Sequence, residues 1–414
     1  MLELYIPANL FYPELPGGSL QYSRYAPFLR ERGISLTVFT PKRKHHEENE
    51  TEFKTIRIIR KTLPSGLNTL QEQMALVEFA GESAMGSSGR RIVIQPIGTF
   101  ANTPRSLSQL WKWRLRSIPL VRHFTQVPRP PEGTAVSKIR ARFRERIGLS
   151  PFSRLLMCSS EMGRAFQVAS GISGKRIEVI PNGIDDTVFH PIEAPAKRAL
   201  RTSLGLPPTG PIVLSVSSII PRKGIDLLVA AWESVLQRHP DALLVLVGSN
   251  TVRPTVGNPE ARSNVATYLE SIRASVAALS RPESVRFAGE VENVQDYYRA
   301  ADLFAFASLQ EGLPSAVMEA MSSGLPSVLA PFHGFPAPGE EYGSPNLHYV
   351  ASTHEPDSIA TGMLRLLDSV ADRKRLGSEA AKWIRNTQQM DQAADRLVSV
   401  YESLWSPSPS SKKA

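Results

Sequence analysis

The stretch ADLFAFASLQEGLPSAVMEAMSSGLPSVLAPF, from Ala301 to Phe332, decides the fold. Asp302 to Ser308 is a short apolar run without polar alternation, as a strand buried on both faces requires. A loop carrying Glu311 and Gly312 follows. The spacing then predicts a short helix from Pro314 or Ser315, since proline suits a first helical turn and serine suits a cap. A tight turn at Ser322 to Gly324 leads into a second apolar strand, Pro326 to Phe332. Strand, helix, strand in that order is a crossover between parallel strands.

The same alternation runs along the chain. The first half offers LELYI, SLTVFT, IRIIR, RIVIQPI, IPLVRHF, RLLMCSS and IEVIPNG; the second adds PIVLSVS, ALLVLVGS, VRFAGEV and LHYVAS. Helix-like segments lie between, such as DLLVAAWESVLQRHP (Asp226 to Pro240), with an acidic start, a basic end and a proline stop. The pattern is interrupted once. Pro181 to Gly210 is rich in prolines and turn residues and reads as a domain join. The expected fold class is α/β: two Rossmann-like, doubly wound domains facing across a cleft, residues 1–190 and 191–387. A helical stretch, Gly377 to Trp405, ends the fold, and 407–414 is expected to be a disordered tail.

Composition is ordinary for a globular chain: 414 residues, 42% hydrophobic and 21% charged. The formal net charge is +9, with positive clusters at PKRKHH (Pro41 to His46), WKWRLR (Trp111 to Arg116) and KIRARFRER (Lys138 to Arg146). Such faces attract nucleic acid, anionic lipid or a phosphorylated substrate, or are simply solvated. No RNA- or DNA-reading motif accompanies them, so no nucleic-acid partner is expected. The single cysteine, Cys158, excludes an intrachain disulfide, and its apolar run marks a buried strand thiol. No basic segment followed by an apolar core opens the chain, and no apolar run approaches the ~18 residues of a membrane span. A cytoplasmic protein is expected, at most peripheral to the inner face of a membrane. SQLWKWRLRSIPLVR (Ser108 to Arg122) mixes tryptophan and arginine as an interfacial helix would. As an ordinary crossover helix it would instead pack Trp111 and Leu115 on the sheet.

Glu311 sits in the loop and Glu319 one turn into the helix, so the two carboxylates address different parts of one extended ligand. Carboxylates accept well from sugar hydroxyls. The first amides of the helix, around Gly312, Leu313, Pro314 and Ser315, form an anion site suited to a diphosphate. Lys223, in the loop after an earlier strand of the same sheet, would neutralise charge on a leaving diphosphate. Hydroxyls at both ends and phosphates between them describe a nucleotide sugar.

These residues carry a resemblance. VSSIIPRKGIDLLVAAW, then VRFAGEV, then the Ala301 stretch resemble the second domain of retaining glycosyltransferases of family 4, which have the GT-B fold. Glu311 and Glu319 match the family's Glu-x7-Glu pattern, and Lys223 with Gly224 its lysine-glycine. EVIPNGIDDTVFHP is similar to the segment entering the second domain, and PGGSLQYSRYAPFLRERGISLTVFTP to the glycine loop and first helix. The resemblance implies that Glu311 contacts the donor sugar, Glu319 the ribose and Lys223 the diphosphate. Gly17 and Gly18 would let backbone approach the donor phosphates or the acceptor. It also implies a C-terminal helix, approximately 388–406, crossing back to the N-terminal domain.

Three departures stand out. The family's arginine before the lysine is Ser218 here, with Arg222 as the candidate substitute. The family's histidine aligns with Thr125, while His123, two positions earlier on the same strand face, is the candidate catalytic group. The family's Gly-Gly loop reads HGFPAPGEE (His333 to Glu341), keeping only Gly334. No Asp-x-Asp triplet and no metal-ligand spacing occurs; HHEE, His45 to Glu48, reads as a polar loop. The resulting expectation is a retaining, metal-independent glycosyltransferase with a UDP- or GDP-linked donor and no other cofactor. Its acceptor would be a sugar, a lipid-linked molecule or a small molecule, with an anionic membrane surface as a candidate partner. The alternative is a catalytically weak GT-B scaffold that binds a ligand or partner.

Overall fold

The computed structural model describes all residues except 1, 14–16, 44–45, 47, 88, 98–102, 129–132, 252–258, 337–339 and 406–414. Parts of the basic Pro41 to His46 cluster, of HHEE and of HGFPAPGEE, and the tail, lie outside the described residues. The chain forms two compact units: Met1–Gly183 with Met390–Ala414, and Ile184–Gln389. The joins thus fall at 183/184 and 389/390 rather than at 190/191 and 387/388.

The first unit begins β1 (Leu2–Pro7), α1 (Gly17–Glu31), β2 (Ile34–Pro41), β3 (Glu50–Phe53), β4 (Ile56–Lys61) and α2 (Thr69–Met85). It continues β5 (Arg91–Ile94), α3 (Pro104–Leu115), β6 (Val121–Phe124), α4 (Ala135–Gly148), β7 (Arg154–Met157), α5 (Ser160–Ser170) and β8 (Ile177–Val179). One sheet has the order β3-β4-β2-β1-β5 and another β6-β7-β8. A parallel bridge from Ile94 to Leu120 joins the edge of one to the edge of the other. All pairings are parallel except β3 with β4. The antiparallel β3 was not expected. Its ETEF sequence is polar and alternates exposed with half-buried residues, as an edge strand does. Lys54 and Thr55, both at positive φ, make the hairpin turn.

The second unit holds α6 (Ala194–Ser203), β9 (Ile212–Val216), α7 (Ile225–Arg238), β10 (Leu243–Val247), α8 (Pro259–Ala277) and β11 (Val285–Gly289). It continues α9 (Val294–Ala300), β12 (Leu303–Phe306), α10 (Ser315–Ser322), β13 (Ser327–Leu329), β14 (Tyr349–Val350), α11 (Pro356–Asp368) and α12 (Val370–Thr387). Its sheet, β11-β10-β9-β12-β13-β14, is wholly parallel. The apolar runs named from sequence are these strands. Leu244, Val245, Phe304 and Ala305 are fully buried because helices cover both faces. α7 adds Leu228, Trp232 and Val235 to the core. Truncating one such leucine costs about 2–5 kcal/mol.

The join is not the irregular segment its prolines suggested, since α6 forms within it. Lys197 and Arg201 of α6 hold Asp302 at 2.7 and 2.5 Å, and the Ile212 amide donates to the same carboxylate at 2.8 Å. That cluster fixes the entry of β9 and β12 side by side. Near the C-terminus the helical stretch breaks after Thr387 and restarts as α13 (Met390–Ser403). α13 belongs to the first unit, where Ala394, Leu397 and Tyr401 join the core.

In α3 the buried face is Ser106, Leu110 and Trp113, while Trp111 is 39% and Leu115 78% exposed. The expectation that Trp111 and Leu115 pack inward is therefore corrected. The reason lies in α2: a Cβ on Gly81 would sit 2.2 Å from the Trp113 indole, so the glycine makes room for that ring.

Candidate active site

In the second unit β9 and β12 are neighbours, while the strand after β9 lies on β9's other side. Loops leaving such a pair diverge, and ligands bind at the carboxyl ends where they part. Ser217 to Gly224 leave β9, and Ala307 to Pro314 leave β12. The Leu309 amide donates to the Arg222 carbonyl at 2.9 Å, fastening the two loops. Gly224 has φ 63°, and a Cβ there would lie 2.1 Å from the Ala307 carbonyl oxygen. Only glycine closes this approach, and it sets Lys223 beside β12.

One oxygen organises the loops. Glu311 Oε1 accepts from Lys223 Nζ at 2.6 Å, from an Arg222 guanidinium N–H at 2.9 Å and from Ser308 Oγ at 2.5 Å. Arg222 also donates to the Gln310 carbonyl at 2.6 Å. Glu311 is 8% exposed. Arg222 and Lys223, adjacent in sequence, therefore converge, because the 3-10 turn Pro221–Lys223 turns both side chains to one carboxylate. Burial pulls the Lys223 ammonium below the ordinary lysine range, Glu311 opposes that, and Arg222 reinforces it. Two cations here face one carboxylate. Ser218 is half-buried in the same loop.

α10 starts at Ser315 with Pro314 at its N-cap and no side-chain cap. Serine is thus the first helical residue, not the cap; the proline has no side-chain acceptor. Glu319 is buried, and the Tyr298 hydroxyl of α9 donates to its Oε2 at 2.9 Å. Beyond β13, His333 bridges Gln310, and the Glu311 amide donates to the His333 carbonyl at 3.1 Å. Gly334, at φ 98°, therefore turns the chain beside the Glu311 loop. Ser308 and Tyr298 were not singled out from sequence. Ser308 had a local signal, a hydroxyl at the strand exit three residues before Glu311. Tyr298, 21 positions from Glu319, had none.

In the first unit Gly17 and Gly18 open α1. A Cβ on Gly18 would meet Ile97 Cγ2 at 2.9 Å, whereas nothing lies within 4 Å of one on Gly17. His123 is on β6, half-buried, with Nδ1 2.9 Å from the Tyr22 hydroxyl of α1. Burial pushes the imidazole down to about 4, so it is neutral near pH 7. Thr125 is exposed beyond the strand end. Among the described residues no group of three or more His, Cys, Asp or Glu is placed to hold a metal, and no helix is long and apolar enough to cross a membrane.

Two family profiles match this chain in succession: Glycosyltransferase Family 4 over residues 21–188 and Glycosyl transferases group 1 over residues 196–383. The chain belongs to this glycosyltransferase family, and its two doubly wound units are those of the GT-B fold. Mannosylfructose-phosphate synthase of Agrobacterium fabrum is 33% identical over 40% of this chain and 34% of its own. A GDP-mannose-dependent monoacylated alpha-(1-6)-phosphatidylinositol monomannoside mannosyltransferase of Corynebacterium glutamicum is 27% identical over 58% and 59%. The D-inositol 3-phosphate glycosyltransferase of Nocardia farcinica is 29% identical over 66% and 58%. The chain thus spans less than two thirds of each of these relatives. Among solved structures, Anabaena HepE in complex with UDP superposes with a TM-score of 0.70 at 18% identity, covering 97% of this chain and 100% of that one. Sucrose-phosphate synthase of Thermosynechococcus elongatus gives 0.73 at 18%, covering 97% and 99%.

Proposed function

We propose that the protein is a retaining, metal-independent glycosyltransferase that moves a sugar from a UDP- or GDP-linked donor to an acceptor hydroxyl. The observation that carries this reading is the convergence of Lys223, Arg222 and Ser308 on Glu311, in the loop that leads into α10. A diphosphate takes the two cations and the α10 amides. Glu311, once exchanged from them, orients the sugar, and Glu319, held by Tyr298, takes the ribose. Gly334 borders the sugar, Gly17 and Gly18 admit a ligand close to backbone, and His123 donates a hydrogen bond. The bond from the anomeric carbon to the diphosphate breaks as the bond to the acceptor oxygen forms, and the acceptor's proton leaves with the diphosphate. Lys223 and Arg222 supply the charge stabilisation that a divalent cation supplies in other transferases.

Relatives' names cover a phosphatidylinositol mannoside acceptor and phosphorylated small molecules. The acceptor class accordingly stays sugar, lipid-linked or small molecule. A thermal-shift screen of UDP, GDP and their sugars tests the donor. Release of free sugar from the preferred donor, with the anomer read by NMR, tests catalysis and retention. Stabilisation by a nucleoside diphosphate with no turnover of any donor favours the binding-scaffold alternative; no stabilisation by any of them overturns the proposal.

One observation favours a peripheral site at the cytoplasmic membrane face, though on another helix than the tryptophan-rich one. In α4, Val136, Ile139, Phe143 and Ile147 are 58, 68, 65 and 39% exposed. Their spacing puts them on one stripe, with Arg140 and Arg144 along one side and Arg142 and Arg146 along the other. Apolar residues sink into a headgroup layer while arginines meet lipid phosphates. Co-sedimentation with anionic vesicles at low salt is expected, with loss in an Ile139→Ser, Phe143→Ser variant. No sedimentation of the parent protein would end this part of the reading.

A further inference from the structure

In the first unit, α4 turns its apolar stripe away from the protein. Of its 14 residues Gly148 alone is buried, among the described residues. A helix of this length draws most of its stability from packing an apolar face, yet Val136, Ile139, Phe143 and Ile147 are exposed. The adjoining face of the same helix borders a cleft of about 730 Å³. Val136 and Ala141 line it from α4, Phe166 and Ala169 from α5, and Phe124 and Pro128 from the exit of β6. These six side chains are apolar, and the size is that of a small-ligand site, roughly 300–1,000 Å³. Phe124 and Phe166 meet with ring centroids 4.2 Å apart, and Phe124 stays half-buried. The cleft shares the carboxyl end of β6 with His123, which points to the strand's other face, toward Tyr22. Helical spacing puts Arg140 and Arg144 between the outward stripe and the cleft, which both arginines line. Glu145 also lines it and interacts with Arg122, whose guanidinium stands 4.5 Å from the Phe124 ring centroid. Around that one acid α4 carries Lys138, Arg140, Arg142, Arg144 and Arg146.

We propose that this cleft binds one hydrocarbon chain of a phosphate-bearing lipid acceptor, with the phosphate on Arg140 and Arg144. The proposal rests on the transferase reading for calling the lipid an acceptor; the binding of the chain follows from this unit alone. An apolar lining gains from a hydrocarbon chain what it cannot gain from a free sugar, whose hydroxyls would lose water there without a partner. The two guanidinium groups at its edge suit a phosphate, which accepts their paired N–H donors. Val136 belongs to the stripe and to the cleft alike. With the stripe in a headgroup layer, the arginines stand at the depth of the lipid phosphates and the cleft opens beside them. Of the acceptor classes left open above, this selects the lipid-linked one.

The test is calorimetric titration of the full chain with hexyl, octyl and decyl phosphate as monomers, without vesicles, and with inorganic phosphate as the control. Affinity is expected to rise about tenfold with each two methylenes, and inorganic phosphate to bind more weakly than any of the three. Ala141→Trp and Ala169→Trp each add an indole at a half-buried position, from opposite walls of the cleft, and each should flatten the chain-length series. Arg140→Gln with Arg144→Gln should weaken binding about tenfold at every length and keep the slope. Ile139→Ser with Phe143→Ser, which alters only the stripe, should leave the series intact. No gain with chain length in the parent, a series unaltered by both tryptophans, or one lost with the stripe variant overturns the proposal. If neither tryptophan variant gives a cooperative melt, the parent series and the arginine and stripe variants decide. A rising series in a protein that turns over no donor would leave the cleft standing and defeat the transferase reading instead. Transfer to a free sugar with a flat series would do the reverse.

Discussion

Glu311→Gln is the most informative single change, because its two consequences have opposite signs. The amide keeps the size and the Ser308 contact but removes the charge between Lys223 and Arg222. Breaking a fully buried pair costs about 3–5 kcal/mol. Here Glu311 is 10% exposed at its side chain and Lys223 17%, but Arg222 is 30% exposed and regains hydration. The expected loss is therefore about 2–3 kcal/mol, which for a unit of this size lowers the melting temperature by roughly 5–10 °C. In the proposed function Glu311 also competes with a diphosphate for both cations. Freed of it, they should bind a nucleoside diphosphate about three- to tenfold more tightly, while sugar transfer falls at least a hundredfold. Thermal scans give the first number, calorimetric titration with UDP and GDP the second. A variant within about 0.5 kcal/mol of the parent, or one that binds nucleoside diphosphate more weakly, would show that this carboxylate does not restrain the cations.

Other expectations follow from neighbouring groups. Because burial lowers the Lys223 pKa below the ordinary 10.5, its ammonium is lost earlier as pH rises. Nucleoside diphosphate affinity should thus decline with a midpoint below 10.5, and Lys223→Arg should abolish the decline; a flat profile for the parent up to pH 10.5 contradicts it. Gly224→Ala adds a Cβ 2.1 Å from the Ala307 oxygen at φ 63°, so urea denaturation should register a loss above about 3 kcal/mol. His123 is pushed down to about 4 from 6.5, so between those values the unfolded chain binds the extra proton. Stability therefore rises with pH across that window, by at most about 3 kcal/mol. His123→Gln should flatten the rise in pH-resolved melts, and an equal slope in the variant would remove the assignment.

What could be read from sequence was set by how local each signal is. β9, β10 and β12 are buried on both faces, so their apolar runs announce themselves without help from the rest of the chain. β3 did not, because a polar edge strand has no such run. Lys223 and Glu311 stood out by their places in loops after apolar runs, and the resemblance matched both, yet the turning of Arg222 toward the same oxygen depends on a 3-10 turn that residue types do not reveal. Trp111 and Trp113 differ only in which faces the gap at Gly81, a partner on another helix. The surroundings of His123 were the least legible: its partner Tyr22 lies 101 positions away, an ordinary core tyrosine until the fold brings it in.

The return of α13 has a consequence for biosynthesis. Leu397 and Tyr401 complete a core whose other members lie before Gly183, so emergence of that early segment from the ribosome is not enough to finish it. Ile184–Gln389 is a contiguous stretch and can become compact while translation proceeds. The half made first is thus the half completed last, and a nascent chain stalled near residue 389 should carry a protease-resistant later half and a vulnerable earlier one.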